Sequence, residues 1–143
     1  MVSLACIELV KKFEGCRLES YRCPANVPTV GWGHTGREVH DGLEISQAQA
    51  DAWLMEDLLE AEKDVRFLVG KHPVSENQMS ALTSFQFNTG KLAGSTLLRK
   101  VCEGDFDGAS NEFSRWVHAS GKVLPGLVRR RAAEAELFES EDV

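Results

Sequence analysis

Apolar residues open the chain at helical spacing: Leu4, Ile7, Val10 and Phe13 fall near one face and predict a helix over 3–13. Gly15 ends it, because glycine takes the left-handed conformation at a helix terminus without steric cost. The period then changes. From Tyr21 to His34, strand-forming residues surround the breakers Pro24, Asn26 and Pro28, a pattern that predicts a hairpin. In Thr29-Val30-Gly31-Trp32-Gly33-His34, strand parity sets Val30, Trp32 and His34 on one face and Thr29, Gly31 and Gly33 on the other. Two glycines on one face leave room for something large to approach the backbone, so Thr29 is expected to look out of the open side.

Helical spacing returns after Ser46, which forms a capping-box pattern with Gln49. The helix it opens runs to about Val69, before Gly70, with the stripe Ala50, Leu54, Leu58, Ala61, Val65 and Leu68. Ser75 with Gln78 repeats the box for a helix ending near Gly90. Shorter helices are predicted at about 95–103, 106–118 and 125–139, separated by Gly104, Gly121 and Pro125. The predicted fold is α+β and mainly α. It has a small N-terminal lobe with a β-hairpin (1–45), a long connecting helix (46–70) and an all-helical C-terminal lobe (71–143). A cleft between lobes suits an extended polymer.

With 143 residues, 43% hydrophobic and 27% charged, the chain can bury the core of one domain. No apolar run approaches the roughly 20 residues of a membrane-spanning helix. A net charge of −6 argues against a nucleic-acid partner, which calls for a basic face. The one basic run, Arg129 to Arg131, precedes Glu134, Glu136, Glu139, Glu141 and Asp142. It reads as a solvated helix with an i,i+4 pair between Arg130 and Glu134. Met1 to Leu9 lacks a basic start and runs into Lys11 and Lys12, so it is expected to be the first helix of the fold rather than a secretory signal. Cys6, Cys16, Cys23 and Cys102 lack the clustering of a zinc site and are expected to be free thiols, with no metal and no cofactor.

Glu14 lies at the end of the first predicted helix and at the mouth of the hairpin. Alone it would be an exposed helix-end glutamate. Its surroundings say more. Glu14, eight residues, Cys23, five residues and Thr29 resemble the active-site signature of phage-type lysozymes, glycoside hydrolase family 24, where the second position is Asp or Cys. FEGCRLESY (13–21), TVGWGHTG (29–36), ALTSFQFNTG (81–90), STLLRKV (95–101) and VLPGLVRRRAAEAELF (123–138) are similar to that family in order, over nearly the whole chain.

The resemblance implies a lysozyme-like fold and an endolysin that cleaves the β-1,4 bond between N-acetylmuramic acid and N-acetylglucosamine in peptidoglycan, with Glu14 as general acid. Cys23 would hold the second catalytic position. As a thiolate it could be base or nucleophile, as a thiol it could only position water, and it could also be a spacer. Thr29 would hold the attacking water. Arg129 or Arg130 would be the cation beside Glu14. By parity His34 belongs in the core, and Asp57 in WLMEDL looks like the family's partner for it. Phe87 and Asn88 are candidate substrate contacts, one packing on a sugar face and the other reading an acetamido group, against a competing core role for the phenylalanine.

The implied partners are glycan strands and a holin, with the chain a monomer held in the host cytoplasm until the membrane is breached and without stable membrane insertion. By family analogy the displacement would invert. The alternatives are a lytic transglycosylase, which needs no second group for water, and an inactive wall-binding relative.

Overall fold

A computed structural model describes residues 1–141. Helix α1 (Leu4–Glu14) is followed by β1 (Arg17–Arg22) and β2 (Pro28–Gly31), then by α2 (Gln47–Val69) and α3 (Glu76–Thr89). The chain continues through α4 (Thr96–Cys102), α5 (Phe106–Glu112) and a 3-10 turn (Phe113–Arg115) to β3 (His118–Ala119), β4 (Lys122–Val123) and α6 (Pro125–Glu139). The helix starts are local chemistry. Ser3, Ser46, Ser75, Ser95 and Asp105 each accept a backbone N–H of the first turn, which would otherwise have no partner. At Ser75 and Gln78 the capping box closes in both directions.

The hairpin starts earlier and ends sooner than strand parity predicts. β1 pairs antiparallel with β2, Arg17 against Gly31 and Tyr21 against Thr29, with an irregularity between them. Segment 43–45 lines the other edge of β1 through the bonds Ser20 N–Leu43 O and Ile45 N–Leu18 O, each 2.8 Å. The second strand stops at Gly31. Residues 31–33 turn back so that His34 pairs with Val30. Directly opposed residues share a sheet face, so His34 still lies beside Val30, and both are buried.

Gly31 does not border open space, because a Cβ there would meet the Ala50 Cβ at 3.2 Å. Thr29 is buried at 3% exposure, which corrects the expectation that it looks out of an open face.

The main core lies among the C-terminal helices, where Phe85, Phe113 and Phe138 meet edge to face with Trp116 at their side. A second cluster joins Val2, Cys6 and Val10 on α1 to Leu54 and Leu58 on α2. Helix α2 therefore serves both clusters. Leu68 is only half-buried, and Glu62 and Val69 complete its inward face.

Two further expectations are corrected. The helix predicted over 106–118 gives way at Phe113 to the 3-10 turn and then to β3 and β4, so the C-terminal region is not all-helical. Ser120 (φ 51°) and Gly121 (φ 77°) sit between the two strands, and positive φ at both central residues suits the twist of a tight hairpin. Of the basic run only Arg129 is solvated. Arg130, Arg131 and Glu134 are 3%, 1% and 0% exposed, because α6 packs that face toward α3 and α1.

Candidate active site

Glu14 is the last residue of α1, where the helix has delivered it to the hairpin turn. Its side chain is 18% exposed. Gly33 (φ +83°) lies against the carboxyl group, and a Cβ there would sit 2.7 Å from Glu14 Oε1. The close approach and the positive φ both require glycine at this position. From the other side Arg130 Nη1 donates to Glu14 Oε2 at 2.6 Å. Of the two arginines left open by the sequence, Arg130 is the partner, and Arg129 lies exposed among the residues lining the groove beside Glu14.

Cys23 begins the turn between β1 and β2. Its carbonyl accepts the Asn26 N–H at 2.7 Å, and its N–H donates to the Val27 carbonyl at 3.1 Å. Asn26 supplies the left-handed residue of this turn (φ 62°), a conformation asparagine tolerates. Arg22 braces the turn by donating to the Asn26 carbonyl at 3.1 Å and to Asp41 at 2.9 Å. Burial pushes the Cys23 thiol up. Hydrogen bonds to its thiolate from the backbones of Val27 and Ala25 and from the Thr29 hydroxyl outweigh this, leaving it below its ordinary value. With Cys23 as the thiol, the single Thr29 hydroxyl proton is donated to the Val27 carbonyl instead, at 2.8 Å. With its proton so committed, Thr29 can only accept from a water.

Two adjoining hollows form the groove. One, of about 940 Å³, is lined by Glu14, Arg129, Arg130 and Asn88; the other, of about 670 Å³, by Cys23, Lys91, Trp116, His118 and again Asn88. Leu124 and Leu127 border both, so Glu14 and Cys23 face connected space. Asn88 stands on the divide. Its Oδ1 accepts from Arg131 Nη2, which leaves its NH2 as the group that can donate into the groove.

Phe87 is not among the groove-lining residues. Its ring packs on the α1–α2 cluster and borders a separate, smaller hollow with Gly33 and Asp57. Adjacent residues on a helix face different neighbours, and of these two Asn88 is the one that faces the groove.

His34 also lies away from it. Its Nδ1 is 2.7 Å from Asp57 Oδ2, its Nε2 is hydrogen-bonded to Glu38, and its ring stacks on Trp53 at 4.3 Å. Burial pushes the imidazole down, but the bonds to Asp57 and Glu38 outweigh it and leave it above its ordinary value.

Sequence reasoning missed the polar layer beneath Glu14. Arg130 Nε lies 3.4 Å from Glu134 Oε2, and Ser84 Oγ donates to that same oxygen at 2.6 Å. Arg131 Nε lies 3.0 Å from Glu134 Oε1. The signal was the Arg-Arg-Arg-Ala-Ala-Glu spacing, which looks identical on a solvated helix. The groove residues Trp116, Lys91 and His118 carried no motif.

The residues described so far offer a carboxyl group beside a buried cation, and a thiol held in a turn across a groove. The phage lysozyme family model matches residues 11–134. The chain is 44% identical over 138 residues to an endolysin of Acyrthosiphon pisum secondary endosymbiont phage 1, covering 92% of this chain and 93% of that protein. It is 36% identical over 126 residues to a SAR-endolysin of Bacteriophage PS119, covering 87% and 75%. Among solved structures, the muramidase domain of SpmX from Asticaccaulis excentricus superposes with a TM-score of 0.88 at 36% identity over 99% of both chains.

Proposed function

Because the chain belongs to the phage lysozyme family and is a muramidase hydrolase, we propose that it cuts the β-1,4 bond between N-acetylmuramic acid and N-acetylglucosamine in peptidoglycan and thereby lyses the host cell. Glu14 donates its proton to the glycosidic oxygen as the bond from that oxygen to the anomeric carbon breaks. A water held against Thr29 adds to the anomeric carbon from the opposite face, and its proton passes to the Cys23 thiolate. The product carries inverted configuration, and Asn88 orients the sugar. The observation that carries this reading is the placement of Glu14 in the groove between Gly33 and Arg130, with Cys23 on the connected hollow.

Turbidity loss of purified peptidoglycan tests it directly. Glu14→Gln keeps the shape of the side chain but has no proton to give, so activity should fall by about two to four orders of magnitude at unchanged Tm. Retention of a tenth of the activity would remove Glu14 from the mechanism. A reducing-end product is expected, and a 1,6-anhydro product would make the enzyme a lytic transglycosylase. No turnover by the intact protein would leave a wall-binding relative.

We place its access to the wall in a membrane breach made by a second protein, a holin. The SAR-endolysin relatives mark the competing route, export without one. No described helix is long and apolar enough to cross a membrane. Expression of the 143-residue chain alone should leave cells intact until chloroform is added. Spontaneous lysis would decide for the competing route.

A further inference from the structure

Arg130 is shared between two carboxylates. Its Nη1 serves Glu14 at 2.6 Å, its Nε faces Glu134 at 3.4 Å, and its Nη2 lies 3.4 Å from the Ser84 carbonyl and hydroxyl oxygens. Glu134 is wholly buried yet belongs to no part of the mechanism above. Two buried arginines flank it, since Arg131 Nε lies 3.0 Å from its other oxygen. Two cations in so small and dry a space need a counter-charge, because an unpaired buried charge is costly. Glu134 supplies it.

We propose that Glu134 is a positioning residue for hydrolysis: by drawing on the charge of Arg130 it lets Glu14 hold the proton that Glu14 must deliver. The proposal rests on the reading of Glu14 as general acid. A bare guanidinium at hydrogen-bond distance would favour the ionised carboxylate and leave Glu14 without a proton to give. With Glu134 on its far side, Arg130 still orients Glu14, but its field there is partly cancelled.

The neighbouring titratable groups do not supply the same compensation. Arg131 is a second cation; burial lowers it to about 10, and it stays charged at neutral pH. Cys6, on α1, feels Glu134, Arg130 and Glu62, and burial pushes its thiol up to about 12. Tyr21, on β1, feels Glu14 and is raised above its ordinary value by burial. Both are therefore neutral under working conditions. Lys12, Arg129 and Glu136 line the groove with Glu14 but lie outside the buried layer. Burial leaves Glu134 above its ordinary value, while Arg131, Arg130 and the Ser84 hydroxyl oppose that rise in favour of the carboxylate.

The test is the pH profile of kcat/KM on purified peptidoglycan, together with the titration of the Glu14 carboxyl carbon followed by NMR in the absence of substrate. Glu134→Gln removes the counter-charge and should move both the alkaline limb and the Glu14 midpoint to lower pH by about one unit. Glu134→Asp, which keeps the charge, should restore most of that shift. Should Glu134→Gln fail to fold, Ser84→Ala decides. It removes the hydroxyl that supports the Glu134 charge and should shift both readouts in the same direction by a smaller amount. An unmoved Glu14 titration in a folded Glu134→Gln protein, or in Ser84→Ala where the first does not fold, overturns the proposal. A shifted NMR titration with an unmoved pH profile would preserve the coupling and instead remove Glu14 as the acid.

Discussion

Between Gly15 and Ile45 only Val30 and Val39 are buried apolar residues, whereas twelve, Phe85, Phe113 and Phe138 among them, form one cluster between Val65 and Phe138. The hairpin region is tied down by polar links instead. These are Arg22 to Asp41, Trp32 Nε1 to Asp51 at 2.8 Å, and His34 to Asp57 and Glu38. The helical region obtains its stability from close-packed hydrocarbon, and it can therefore bury a charged layer that the hairpin could not shelter. The proposed site draws on both. Cys23 and Thr29 come from the polar-tied region, and the cation on Glu14 comes from the packed one. Substitutions on the two sides should separate stability from turnover.

The largest effect is expected at Phe113, which is fully buried between Phe85 and Phe138. Phe113→Ala should cost about 3–5 kcal/mol of stability in chemical denaturation while leaving activity per folded molecule intact. Normal stability with collapsed turnover would break the division between the regions.

Cys23 tests the other side. Cys23→Ser should lose about a hundredfold in activity with little change in Tm. Cys23→Asp should stay active with its optimum moved to lower pH, since an aspartate ionises near ~3.9. If serine is neutral and the pH profile is unmoved, Cys23 is a spacer, and Glu14 with a water on Thr29 does the chemistry.

A glycine pair sharpens the contrast within the hairpin. Gly33→Ala drives a methyl group into Glu14 and should lower turnover by about tenfold, a displacement worth about 1.4 kcal/mol. Gly15→Ala shares the strain of a positive φ (+67°) but has open space around its Cβ, so it should lose stability alone. Equal loss of turnover in both would show that strain, not the contact with Glu14, sets the effect.

The smallest effect is expected at His34. Its folded value lies above its ordinary one, so its ion pairs contribute fully below the ordinary imidazole range, near ~6.5, and are lost as pH rises through the raised value. His34→Asn should lower Tm by a few degrees, about 1 kcal/mol, at mildly acidic pH, and the gap to the unsubstituted protein should narrow as pH rises. A gap independent of pH would mean that stacking on Trp53 is the whole contribution.

The extents of most helices were legible because their ends are settled within one turn: a serine accepts an N–H three residues on, and a glycine or proline closes or opens the next segment. The Glu14–Cys23–Thr29 spacing could be read from the sequence because these residues are close in the chain: Cys23 begins a short turn and Thr29 lies on the strand that follows it. The helix predicted through residue 118 failed where a local rule was misapplied. The helical period ends at Glu112, and Ser120-Gly121, a two-residue turn signal, instead pairs His118-Ala119 with Lys122-Val123.

Pattern alone could not say which way a charged or aromatic side chain would point. Thr29 is buried, although alternation sets it opposite Val30, because other parts of the chain, α2 among them, pack against β2. Phe87 and Asn88 were separated because neighbouring positions on α3 meet different partners. The buried layer of α6 was hidden for a deeper reason. Whether Arg130 pairs along its own helix in water or inside the protein depends on a carboxylate 116 residues away in sequence, at the end of α1. Local periodicity determined that α6 is a helix and that Arg130 and Glu134 lie one turn apart. Only the packing of α6 against α1 and α3 decided that the turn is buried and that its charge bears on Glu14, because the energy of a charge is set by everything that has replaced water around it.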